Sequence, residues 1–316
     1  MNNLREIAQK FKTEGDFEVY ENEKMTSRFS FKIGGITPLL VEPLTESAFL
    51  SAINMLKAEK IPYFILGGGT NVVFSDDGFD GAVLSTVKLN KIEEISLKDG
   101  GEPEEVILKC QCGVLMNTLV NYCTKHSYSG LEQFSGLPGT CGGACYMNAR
   151  CFDLEVSDVA GDIEYIAAGN DSACIKTLKN DKSKWNYKIS PFTGKEDIIL
   201  SVQFKVKKGT ASQDEILAKA AGFMKQRVEK GHFKFPCAGS VFKNNRDFGA
   251  PTGQIIDSEG LKGYSIGGAQ IAPWHGNIII NTGNATQKDV KTLVDYVKKQ
   301  VKDKKGFNLE EEIIFV

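Results

Sequence analysis

The chain has 316 residues, 41% of them hydrophobic, and a formal net charge of −2 at pH 7; that is enough to bury a sizeable core and to divide into two or three domains. The near-neutral balance argues against a bulk electrostatic binder of nucleic acid or membrane surface, and no apolar run approaches the roughly 20 residues of a membrane helix. The start, MNNLREIAQKFK, lacks the apolar core of a signal peptide and reads as a short amphipathic helix, so a cytoplasmic location is expected.

Residues 28–43 read as an extended segment, a turn at Gly34-Gly35 and a strand Leu39–Val41 closed by Pro43. Glu46–Glu59 carries Phe49, Ile53, Met55 and Leu56 at helical spacing, and a strand over 62–66 follows, giving β-α-β. Phe64–Asp76, FILGGGTNVVFSD, then reads as strand, glycine turn, strand. Gly67, Gly68 and Gly69 lack Cβ atoms, so their N–H groups can converge on an anion such as a pyrophosphate, with Thr70 and Asn71 as further donors. The dinucleotide fingerprint G-x-G-x-x-G is absent and nothing helical follows; taken alone, the stretch reads as a tight hairpin. Val83–Thr86 is another strand.

Residues 91–111 are strand-like, interrupted by an acidic turn over Lys98–Glu105, and Leu115–Cys123 reads as a helix. Gly130–Ala149 holds Gly130, Gly136, Gly139, Gly142 and Gly143 with few charges. It makes a poor helix and a poor strand, and it is too apolar for a linker. Backbone lying against a flat ligand explains it better than a buried irregular loop does. Two glycine-rich segments of these kinds point to a large cofactor such as FAD. Strands Ile163–Ala167 and Ile198–Val206 flank a polar section with Trp185, Asn186, Tyr187 and Lys188, and Lys207–Thr210 reads as a domain boundary. Ser212 and Glu215 form a capping box for a helix with Ile216, Leu217, Ala220, Phe223 and Met224 on its apolar face, opening a C-terminal domain. A second helix starts near Thr286, boxed by Asp289, with a buried stripe of Val290, Leu293, Val294, Val297 and Val301; a strand Phe307–Val316 ends the chain.

Eight cysteines (110, 112, 123, 141, 145, 151, 174 and 237) contain no C-x-x-C, and His126, His232 and His275 are scattered, so a metal site is rejected and reduced, mostly buried thiols are expected. Ser240, in Pro236–Asn244 (PCAGSVFKN), has no nearby histidine and no G-x-S-x-G elbow. A hydroxyl is a weak acid that protonates only a strongly basic centre, such as an enol or carbanion beside a carboxylate. The plain alternative is a serine packed in a turn. In NLEEEI (308–313), strand alternation places Glu310 and Glu312 on one face and Glu311 on the other, either as a solvated edge or with Glu312 beside Ser240.

From about Ser27 to Val316, the motifs FKIGG (31–35), LGGGTNVVFSDDGFDG (66–81), GLEQFSGLPGTCGGACYMNAR (130–150), PCAGSVFKN (236–244), IIDSEGLKG (255–263) and LEEEI (309–313) fall in one order and spacing. Together they resemble the UDP-N-acetylenolpyruvoylglucosamine reductase (MurB) family of peptidoglycan synthesis, in its shorter type. The resemblance implies an α+β fold: a two-lobed FAD-binding module of the vanillyl-alcohol-oxidase/PCMH type (residues 1–86 and 87–208) plus a C-terminal α/β substrate-binding domain (209–316). It implies non-covalent FAD, its pyrophosphate on Gly67, Gly68, Gly69, Thr70 and Asn71, and its ring against Gly136, Pro138, Gly139, Thr140, Gly142 and Gly143. NADPH would supply the reducing equivalents. Hydride would pass from flavin N5 to Cβ of UDP-N-acetylglucosamine enolpyruvate, and Ser240 would protonate Cα, giving UDP-N-acetylmuramate. Glu312 would orient or polarise the intermediate, and a fixed cation on the substrate carboxylate would stabilise its developing charge. Tyr187, Lys230 and Asn244 match substrate-contacting positions, Lys230 as a point charge for the diphosphate.

Four positions depart from the family pattern. Lys188 stands where an arginine is usual in Y-R-x-S-x-F, keeping the charge and losing the bidentate fork. Ile314 replaces another arginine, and Arg150-Cys151 replace Gly-Ala. Two other functions fit the same module: a flavin oxidoreductase for another substrate, and a non-catalytic binder of FAD or sugar nucleotide. Ser240, Lys230 and Glu312 together favour the reductase, and neither glycine-rich stretch holds a histidine to tether FAD covalently. A monomer is expected, with no nucleic-acid or membrane partner.

Overall fold

A computed structural model describes residues 2–95, 105–168 and 173–316. The acidic turn expected over Lys98–Glu105 lies outside the described residues except for Glu105. The chain forms two units, one from residues 1–21, 39–68 and 81–225, the other from 22–38, 69–80 and 226–316.

In the first unit, strands Ile36–Pro43, Ala82–Ser85 and Tyr63–Leu66 pair in parallel, with helix Glu46–Ala58 as the crossover. Thr45 caps this helix by accepting from the Ala48 N–H at 3.1 Å, and Phe49, Ala52, Ile53 and Leu56 are its buried face. A second, antiparallel sheet is centred on Ile198–Lys208, which pairs with Glu105–Gln111 on one side and Ala160–Ala167 on the other. Helices Met116–Lys125 and Cys141–Tyr146 join its core.

In the second unit, the antiparallel sheet orders its strands Cys237–Ser240, Ile278–Asn281, Ala269–Ile271 and Ser265–Ile266. Helix Gln287–Lys305 lays Val290, Leu293, Val294, Val297 and Val301 on that core, its start fixed by the expected Thr286–Asp289 capping box. Phe31, Ile33 and Val73 belong to the same core, although they come from distant parts of the chain.

Several expectations need correction. The glycine stretch is no hairpin: Tyr63–Leu66 pairs with Ala82–Ser85, whereas Val72–Val73 pairs with Ile314–Phe315 at the far end of the chain. Residues 28–33 are not one extended run, because Arg28 closes a 3₁₀ turn that starts at Met25 and Lys32 has φ of 58°. The segment 130–149 contains a helix after all, Cys141–Tyr146, because Thr140 caps it by accepting from the Gly143 N–H at 3.3 Å. The capping box at Ser212–Glu215 is present, yet Leu217 and Met224 are 55% and 37% exposed, leaving Ile216 and Ala220 as the buried side of helix Gln213–Glu229. Only Ile314–Phe315 of the expected terminal strand is regular.

Six of the eight thiols are buried, none is in a disulfide, and burial pushes Cys112 up to about 12. Burial raises Cys123, Cys141 and Cys145 as well, so these four thiols stay protonated and unreactive. Among the described residues, no three or more His, Cys, Asp or Glu side chains group to hold a metal, and no helix is long and apolar enough to cross a membrane.

Candidate active site

In the first unit, the two glycine-rich segments meet. A Cβ on Gly68 would lie 2.7 Å from the Gly139 Cα, and one on Gly67 would lie 3.1 Å from Thr140 Oγ1. Gly142 is pressed in the same way on Cys112, 2.6 Å from its Cβ. Absent side chains therefore let backbone pack on backbone. Gly136, at φ of 75°, is held by its N–H donating to Asn117 Oδ1 at 2.8 Å, and Pro138 leads into Gly139 at φ of 103°. Thr86 is 4% exposed, and its N–H bonds the Leu66 carbonyl at the start of the glycine turn. The main-chain N–H groups of Gly67 and Gly68 have no protein acceptor among the described residues, and the same holds for Gly69 and Thr70 of the second unit. A flavin nucleotide fits the groups of the first unit: free amides suit its pyrophosphate and the bare glycine backbone suits a flat ring.

Tyr187 and Lys188 form the tip of a two-residue turn closed by Asn186–Ile189 hydrogen bonds of 3.0 Å in both directions. Lys188 sits at φ of 58°, with its Nζ 6.0 Å from the Tyr187 ring centroid. The Ser190 hydroxyl donates to the Tyr146 carbonyl at 2.8 Å and the Asn148 amide donates to the Asn186 carbonyl at 2.9 Å. These bonds tie the turn to the C-terminal end of helix Cys141–Tyr146.

In the second unit, Ser240 ends strand Cys237–Ser240 just after a bulge. Cys237 pairs with Ile280 and Ser240 with Ile278, leaving one extra residue on the Ser240 side, and Gly239 takes φ of 78° to make the turn. A bulge of this kind re-aims the next side chain. Beyond it, Asn277 acts as a false strand: its amide accepts from the Phe242 N–H at 2.9 Å and donates to the Phe242 carbonyl at 2.8 Å. On the other side lies the chain end, where the Glu312 N–H donates to the Val241 carbonyl at 2.8 Å. Ser240 and Glu312 therefore sit on directly bonded stretches of backbone.

Residues 307–313 form no regular strand, only a single bridge between Glu311 and Phe242. Glu310 pairs with Lys243 at 2.5 Å and Glu311 with Lys298 at 2.8 Å. Lys230 is exposed at the end of helix Gln213–Glu229, and exposed Asn244 accepts from the Thr252 N–H at 2.9 Å, which starts helix Thr252–Ser258. Asn71 donates its side-chain N–H to the Glu312 carbonyl at 2.9 Å. Ser30 donates to the Cys237 carbonyl at 2.7 Å, and its N–H donates to the Gly69 carbonyl at 3.1 Å. Ser30 and Asn277 are not apparent from the sequence, since each is defined by a partner far along the chain. The only local signal was small polar residues within otherwise apolar runs.

Comparison with known proteins agrees with this geometry. A family model described as UDP-N-acetylenolpyruvoylglucosamine reductase, C-terminal domain, matches residues 226–316, and one described as FAD binding domain matches residues 37–163. The chain is similar to the UDP-N-acetylenolpyruvoylglucosamine reductase of Treponema denticola, 44% identical over 100% of this chain and 98% of the relative. It is 40% identical to that of Borreliella burgdorferi, over 94% of each. The solved structure of UDP-N-acetylenolpyruvylglucosamine reductase (MurB) from Thermus caldophilus matches with a TM-score of 0.73 at 27% identity, covering 95% of this chain and 98% of that one. The expected α+β fold, an FAD-binding domain ahead of a second domain, is the fold of this chain, and the FAD-binding match takes in both glycine-rich segments.

Proposed function

Because the chain belongs to the UDP-N-acetylenolpyruvoylglucosamine reductase family, we propose that it reduces UDP-N-acetylglucosamine enolpyruvate to UDP-N-acetylmuramate in peptidoglycan precursor synthesis, with NADPH as electron donor. Bound FAD supplies the hydride chemistry. The observation that carries the reading is the 2.8 Å bond between the Glu312 N–H and the Val241 carbonyl, next to Ser240, which fits a proton donor and a polarising carboxylate acting on one reacting centre.

Within this reading each side chain has a task. Ser240 Oγ–H gives its proton to Cα of the enolic intermediate, and Glu312 orients that intermediate. Lys188 places its ammonium on the substrate carboxylate, where charge grows. Lys230 holds the diphosphate as a point charge, while Tyr187 and the amide N–H groups of Asn244 line the substrate site. The main chain of Gly67–Asn71 holds the cofactor pyrophosphate, and Gly136–Gly143 faces the ring. Lobes 1–86 and 87–208 carry the cofactor and 209–316 carries the sugar nucleotide, in a cytoplasmic monomer.

Stopped-flow absorbance tests the function. Protein reduced anaerobically with NADPH and mixed with UDP-N-acetylglucosamine enolpyruvate recovers the oxidised flavin band rapidly; reduction without substrate-driven recovery overturns the reading. Lys188→Arg keeps reoxidation at least at the wild-type rate and lowers the substrate KM. Both residues meet the same backbone demand at the positive φ, and arginine adds the bidentate fork. A tenfold or larger drop in the reoxidation rate, roughly 1.4 kcal/mol in barrier, removes the carboxylate from the role given to Lys188.

A further inference from the structure

We propose that Asn71 is a positioning residue for Glu312, and that its side chain serves the proton-delivery end of the site rather than the cofactor. The proposal rests on the functional reading above. Asn71 ends a glycine turn whose other members offer amides to an anion, and by position its side chain belongs with them. The structure points it elsewhere: its amide N–H donates to the Glu312 carbonyl at 2.9 Å. Its own carbonyl accepts from the Ile314 N–H at 2.9 Å, just before the parallel pairing of Val72 with Ile314 and Val73 with Phe315.

Glu312 is thereby gripped on both sides of its Cα. Its N–H goes to Val241 and its carbonyl to Asn71. The main chain is held at both peptide groups, which narrows the volume the carboxylate can reach. A glutamate free to move its backbone as well would place its carboxylate over a wide volume, and a misplacement of about 1 Å at a reacting centre costs up to about a hundredfold in rate. The bond is non-local, spanning 241 positions of sequence. It also links the strand that carries Ser240 to the far half of the glycine turn, because Val241 and Asn71 hold the same residue. Ser30 makes a second link between the same two elements, bonding the Gly69 and Cys237 carbonyls.

The test uses the FAD-loaded protein and Asn71→Asp, which keeps the size and removes the donor; Asn71→Ser is the second variant should the first fail to fold. Three quantities are read: FAD affinity by flavin fluorescence, the rate of flavin reduction by NADPH, and the rate of reoxidation by the enolpyruvyl sugar nucleotide at saturating FAD. The expected result is FAD affinity and reduction within about threefold of wild type, and reoxidation slowed about tenfold or more. In a Glu312→Gln background the same substitution adds almost nothing, because the two residues act as one unit. A fall in FAD affinity with unchanged reoxidation at saturating FAD makes Asn71 a cofactor ligand and overturns the proposal. An undiminished loss in the Glu312→Gln background also overturns it, since Asn71 then acts apart from Glu312. Wild-type protein that is reduced but never reoxidised by this substrate fails the functional reading itself, before any variant is compared.

Discussion

Replacing Ser240 with alanine leaves flavin reduction by NADPH within about twofold of wild type and slows reoxidation by substrate by about 10²–10⁴, the usual contribution of a positioned general acid. The asymmetry follows from the chemistry. Reduction of the flavin needs no proton from this hydroxyl, whereas the enolic intermediate left after hydride arrival needs one at Cα. The fold survives the change, because Ser240 is held through its main chain: the strand is set by the pairing of Ser240 with Ile278 and by the Asn277 clamp on Phe242. Both half-reactions are read in one stopped-flow instrument on one preparation. Equal loss in both removes Ser240 from the role of acid and makes it a structural residue of the bulge.

The second large effect falls on the cofactor. Gly68→Ala purifies with little or no yellow colour, and its FAD dissociation constant rises tenfold to a hundredfold, about 1–3 kcal/mol, as expected for overpacking. The added methyl would sit 2.7 Å from the Gly139 Cα and 3.2 Å from its carbonyl carbon. These are backbone atoms, so a rotamer change cannot relieve the clash and the two segments must move apart. Gly222→Ala is the matched control. A Cβ there meets nothing within 4 Å, and it lies in helix Gln213–Glu229, where alanine is favoured. Fluorescence titration of both variants separates damage to the packed glycine segments from a general intolerance of methyl groups. Wild-type affinity in Gly68→Ala removes the backbone contact from any part in FAD binding.

What the sequence made legible was local. Both capping boxes, the buried stripe of helix Gln287–Lys305 and the β-α-β start depend on residues a few positions apart, and all are present. Elements decided by distant partners were not legible. Strand Phe17–Lys24, FEVYENEK, is rich in charge and polar at most positions, so its pattern does not announce a strand. Strand Cys174–Leu178 is mostly exposed and lacks an apolar face. The supposed hairpin at the glycine turn failed because Val72–Val73 takes its partner from the other end of the chain, which no local rule reveals. The same limit applies to the site. Ser240, Glu312 and the glycines stand out by residue type and motif, whereas the direction of the Asn71 amide and the Asn277 clamp are products of tertiary pairing. The run Glu310–Glu312 is not a regular strand, and its first two carboxylates pair with lysines of different parts of the chain, Glu310 with Lys243 and Glu311 with Lys298.

The second unit is assembled from three separated pieces of chain, and this orders events during synthesis. Phe31, Ile33 and Val73 leave the ribosome early, yet the strand that covers Val73 ends at Phe315, roughly 240 residues later. At about 5–20 residues per second, the wait is on the order of 10–50 s. Over that interval a nascent chain carries an unpaired strand and two large apolar side chains with no core to enter, a natural substrate for a holding chaperone. A ribosome stalled anywhere before codon 312 leaves Glu312 unmade and the first-made pieces of this unit without their partner strand.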